Sequence, residues 1–84
     1  TGRLEAVCVV FDNTLVGVVI DRFGKDVQMY SVDDGHFSAV LNVQVSPVFL
    51  AWLFQFGDKA RVESPTDVAL RMKALADEVA AQYE

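Results

Sequence analysis

His36-Phe37-Ser38-Ala39-Val40-Leu41-Asn42-Val43-Gln44-Val45 carries the most regular pattern in the chain. Phe37, Ala39, Leu41, Val43 and Val45 alternate with His36, Ser38, Val40, Asn42 and Gln44. Successive side chains on a strand point to opposite faces, so this period predicts a strand over 36–46 with one face in a core. Asp33-Asp34-Gly35 precedes it, a compact hairpin signal. Before that turn, Val27-Gln28-Met29-Tyr30-Ser31-Val32 predicts the partner strand over 27–32. A two-residue turn and a three-residue turn put Tyr30 on opposite faces, so the register of 27–32 stays open.

Upstream, residues 4–11 are rich in β-branched side chains and too short for a stable helix. They predict a strand whose Val7, Val9 and Phe11 form an apolar stripe. Asp12 or Asn13 can then cap a helix over 14–23, where Leu15, Val16, Val19, Ile20 and Phe23 recur at three- and four-residue spacing. Gly24 marks its end.

Downstream, Ser46-Pro47 predicts a helix start, with serine as the cap and proline in the first turn. Phe49, Leu50, Trp52, Leu53, Phe54 and Phe56 follow before the stop at Gly57, an apolar surface almost all round. Two opposite faces of one helix cannot both meet the same sheet. Some of Phe49, Trp52 and Phe56 must therefore touch the last helix, a partner or water. Trp52 is either a core aromatic or an interface aromatic. Ala60-Arg61-Val62-Glu63 predicts a short strand over 60–63. Ser64-Pro65-Thr66-Asp67 resembles a capping box opening a helix that runs to about Tyr83, with Val68, Met72, Leu75 and Val79 as its stripe.

The resulting order, β-α-β-β-α-β and a further helix, is the ferredoxin-like arrangement of the α+β class. It predicts a four-stranded antiparallel sheet with helices on one face and the other face open. Ala6, Cys8, Val10, Ser38, Val40, Asn42 and Gln44 would line the open face. That surface is small, mildly apolar and nearly uncharged, and so suits contact with another domain, a second subunit or a ligand.

With 84 residues, the chain reads as one domain, 1–84, and its 52% apolar content suffices for one thin core. A domain of this size leaves little room for a deep catalytic cleft. The 12 acidic and 7 basic residues give a net charge of −5, and the basic residues are scattered, which argues against duplex DNA binding by this segment. Cys8 stands alone, so no internal disulfide is possible, and one Cys with one His has no metal-ligand spacing. Turn chemistry accounts for Asp33-Asp34, and His36 reads as a strand residue beside the turn. No phosphate-cradling glycine loop and no catalytic set is present, so neither enzyme activity nor a cofactor is expected. No stretch approaches the ~18 apolar residues of a membrane helix. With no leader pattern at the start, a cytoplasmic setting is expected.

Asp34-Gly35-His36-Phe37, then Leu50-Ala51-Trp52-Leu53-Phe54-Gln55-Phe56-Gly57, then Ala60-Arg61-Val62-Glu63-Ser64-Pro65 and a helix ending near Tyr83 follow one another in order. Together they resemble the C-terminal extension (WCX) domain of WYL-type bacterial transcriptional regulators. In that family a W-L-L-x-F-G element precedes V-x-V-x-x-P and a long helix ending near a tyrosine. Val7, Val9 and Phe11 before Asp12 resemble its first strand, so the resemblance spans nearly the whole chain. Ser64 departs from it, where a bulkier acid is common. The Trp-Tyr-Leu signature and the winged helix are absent from these residues and would lie upstream. The resemblance implies a piece of a DNA-binding regulator that supports dimerisation and effector response, with no catalytic residues to carry over. A free-standing sensor similar to ACT-type domains is the alternative, but Phe11-Asp12-Asn13-Thr14 lacks their glycine-bearing loop. An acylphosphatase-like enzyme would need an arginine in that same loop, which is also missing.

Overall fold

The structure, a computed structural model, describes residues 3–84. Strand β1 (Glu5–Asp12) leads through a turn of 3-10 helix into α1 (Val16–Phe23). Strands β2 (Gln28–Asp33) and β3 (His36–Val43) form the hairpin, and α2 (Pro47–Phe54), β4 (Ala60–Ser64) and α3 (Thr66–Ala81) complete the chain. The sheet order is β2-β3-β1-β4 with every neighbour antiparallel, which is the ferredoxin-like topology.

Of the two candidate caps, Asp12 is the one used. Its Oδ1 accepts from the Thr14 backbone N–H at 2.9 Å and from the Thr14 hydroxyl at 2.7 Å. The helix starts later than expected, at Val16, because the chain first turns through Asn13–Leu15. Leu15, Val19 and Phe23 reach the core, whereas Val16 is exposed. Gly24 closes α1 with φ of +90°, a region that side chains disfavour, and its N–H donates to the Ile20 carbonyl at 2.7 Å.

Val7, Val9 and Phe11 of β1 and Phe37, Ala39, Leu41 and Val43 of β3 share one side of the sheet. They form one core with Val19 of α1, Phe49, Leu50 and Leu53 of α2, and Val68 of α3. All three helices therefore lie on the same face.

This layout explains why α2 is apolar nearly all round. It is the middle helix of the layer. Trp52 meets Phe23 of α1 edge to face at 5.4 Å between ring centroids. On the other flank, Leu53 borders Ala69 and Met72 of α3, and Leu50 borders Leu75. Pro47, Val48, Ala51, Phe54 and Gln55 meet water.

Three expectations need correction. The third strand ends at Val43, not at residue 46, because the Ser46 hydroxyl must turn to accept from the Phe49 N–H and start α2. Helix α2 itself ends at Phe54, and the stop at Gly57, with φ of +60°, begins the next 3-10 turn. No capping box opens α3. Ser64 is the last residue of β4, and Pro65, which has no side-chain acceptor to offer, stands at the cap, where its carbonyl accepts from the Val68 and Ala69 N–H groups.

Candidate interaction surface

The hairpin decides what the uncovered sheet face contains. Asp33 pairs with His36 across a two-residue turn, which alone would set Tyr30 against the inward-facing Ala39. A bulge at Val32 adds one residue, so Ser31 pairs with Phe37 and Tyr30 with the outward-facing Ser38. The turn is held locally. Asp33 Oδ1 accepts from the Gly35 N–H and lies 2.8 Å from His36 Nδ1. Asn13 ties the turn to β1, through its backbone N–H to the Gly35 carbonyl and its side-chain amide to the Asp34 carbonyl.

Register then lays out rows across the face. Tyr30, Ser38, Val10 and Arg61 form one row, and Gln28, Val40 and Cys8 form the next. Of the expected surface residues, Val10 and Ser38 lie flanked in the middle of their row, only 7% and 8% exposed. Cys8 and Val40 are half-buried, and Ala6 and Asn42 are exposed. Gln44 is not part of the surface, because the chain has left the sheet by then.

The face is also more charged than β1 and β3 alone suggested. A bulge in the β1–β4 pairing brings Glu63 to Cys8, whose Sγ donates to Glu63 Oε1 at 3.5 Å. Burial pushes the Cys8 thiol pKa up, with the Glu63 hydrogen bond and charge adding to it, so the sulfur stays protonated. At the turn end, Val10 and Val32 floor a shallow cavity of about 270 Å³ rimmed by Asp33, His36, Asp58, Lys59 and Arg61. Tyr30, Arg61 and Glu63 are surface residues that sequence reasoning missed. For Tyr30 and Glu63 the two bulges were the missing signal, and neither carries a glycine to announce it, while Arg61 follows from the regular pairing of β4 with β1.

Trp52 is not brought to this surface. It lies on the helical side, half-buried among Phe11, Phe23, Phe49 and Phe56, with the Arg22 guanidinium 6.0 Å from its ring. Its contacts are those of a core aromatic at the helix boundary.

His36 and Asp33 form an acid–histidine pair, but among the described residues no hydroxyl or thiol is hydrogen-bonded to the imidazole. No group of three or more His, Cys, Asp or Glu among the described residues could hold a metal ion. No described helix is long and apolar enough to cross a membrane.

A ferredoxin-like α+β domain with three helices on one face and an uncovered, partly apolar sheet on the other defines the class of this protein. The WCX domain family matches residues 3–80, and the chain belongs to that family. This is a regulatory type of domain, the C-terminal domain of WYL-type regulators. No curated protein and no solved structure matches the chain.

Proposed function

We propose that this domain is a non-catalytic regulatory and assembly module of a bacterial WYL-type transcriptional regulator. In that reading it follows a winged helix and a WYL domain in a longer cytoplasmic protein. It supports dimerisation and the response to an effector, and leaves duplex DNA to the upstream domains. The open sheet face is the contact surface towards another domain or the second subunit. The observation that carries this reading is the family match over residues 3–80. The centre of the face supports it, since Val10, Ser38, Val40 and Cys8 bear no charge where a face meant only for water would carry Lys and Glu.

The test is Val40→Lys in the full-length regulator. Val40 is half-buried on the open face, so the domain keeps its fold. A lysine without a partner at a buried contact is costly, so dimerisation or effector response weakens. Mass in solution and operator binding are read together. An unchanged regulator would show the face idle, and a melt like that of a core variant would show the strand's faces reversed. The 84-residue chain alone should give no salt-sensitive micromolar shift with duplex DNA at low salt.

A further inference from the structure

The side of β2 facing away from β3 is an unpaired edge. Its backbone groups have no hydrogen-bond partner among the described residues. Proteins protect such edges with charge, proline, bulges or a covering element. Gln28–Val32 carries no charge and no proline, and Tyr30 and Val32 are 57% and 51% exposed. The bulge at Val32 sits next to the turn and leaves Gln28–Ser31 in regular pairing with β3. Two copies of a chain with net charge −5 repel each other, and an uncharged edge is where that repulsion is smallest.

We infer that β2 pairs with β2 of a second copy, antiparallel, joining two four-stranded sheets into one. All helices then lie on one side, and the two open faces merge into one broad surface. A second copy is the occupant because the strand is self-complementary in charge. With a two-fold axis normal to the sheet, residues of the same face must pair, so Met29 or Tyr30 lies on the axis. An axis through Tyr30 opposes Asp26 to Asp34. An axis through Met29 opposes Gln28 of each copy to Tyr30 of the other, directs Lys25 towards Asp33, and sets Asp26 against Val32. That register opposes no like charges and uses the unbulged stretch. A parallel pairing in register sets Asp33 against Asp33.

Sedimentation equilibrium of the 84-residue chain over a wide concentration range tests this. The mass should rise from 9.3 kDa towards twice that value. Gln28→Lys with Tyr30→Lys opposes lysines across the axis and should weaken the dimer about tenfold or more, with the thermal melt retained because both positions are exposed. In a Cys8→Ser background, Gln28→Cys with Tyr30→Cys should give an oxidation-dependent covalent dimer, since directly opposed residues are within disulfide reach. Val40→Lys should leave this association unchanged, which separates it from the open-face reading. The inference is overturned if the chain stays at 9.3 kDa throughout. It is equally overturned if the double lysine variant still dimerises as tightly, or if Val40→Lys dissolves the dimer in its place.

Discussion

Strands β4 and β2 both lie at an edge of the sheet, and they are finished in different ways. The β4 strand alternates Arg61 and Glu63 on its outer face, pairs with β1 through a bulge, and has Ala60 and Val62 packed into the core with α3 alongside. The β2 strand contributes only Met29 to the core and leaves its other residues exposed. The difference follows from chain order. α3 is the element added beyond the β-α-β-β-α-β unit, and it leaves from the end of β4, so it covers that side of the helical layer. On the other flank α1 borders β2 on the helical face, and no described strand pairs with the outer side of β2. Both outer strands have one unpaired side, and the charges, bulge and adjoining helix of β4 protect it more than β2 is protected.

That contrast predicts unequal costs of truncation. Leu53 is 1% exposed at the joint between α2, β4 and α3, and Leu53→Ala should cost about 2–5 kcal/mol. Trp52→Ala removes the aromatic wedge between α1 and α2 and should cost about 3 kcal/mol. Met29→Ala, half-buried at the bare edge, should cost only about 1 kcal/mol. Urea titrations give all three, and equal losses at Leu53 and Met29 would erase the distinction between the edges.

A smaller effect concerns the polar clamps at the turn end of the sheet. The carboxyl of Asp12 is held below the usual carboxylate range by the Thr14 backbone and hydroxyl hydrogen bonds, and that of Asp33 by the bond to His36 and then to the Gly35 N–H. A depressed carboxylate stabilises the fold above its unfolded-state pKa, and that contribution is lost as pH falls through the folded-state value. The melting temperature should therefore decline below the usual carboxylate range. Asp12→Asn and Asp33→Asn should each flatten that acid limb while lowering stability slightly at neutral pH. An acid limb unchanged by both would assign it to other groups.

The smallest effect sits next to the finished edge. Cys8 should alkylate more slowly at neutral pH than a free cysteine, because the thiolate is the nucleophile and burial disfavours it. Glu63→Gln should speed the reaction only modestly, since burial is the larger cause. A large acceleration would make the Glu63 charge dominant.

How much was legible in advance differs from element to element. The β3 alternation placed Phe37, Ala39, Leu41 and Val43 in the core, because a period of two can satisfy one buried face in only one way. The single stripe of α3 was legible for the same reason, with Val68 buried and Met72, Leu75 and Val79 partly so. Tyr30 was not legible. Its face depended on the extra residue at Val32, and a bulge formed by Val32 leaves no mark in a sequence that already favours strand. Nor was Glu63 beside Cys8, for the same reason on the other edge.

By itself, then, the sequence determined the element order, the ferredoxin-like class and the inward faces of the central strands. These rest on local periodicity, capping and residue chemistry, which act over a few residues. Only the tertiary structure decided which residues share the open face and why α2 can be apolar on both flanks. It alone also showed which sheet edge stays bare. Register, neighbour order and coverage depend on contacts between residues far apart in the chain, and a one-residue shift in pairing reverses the face of every side chain along a strand.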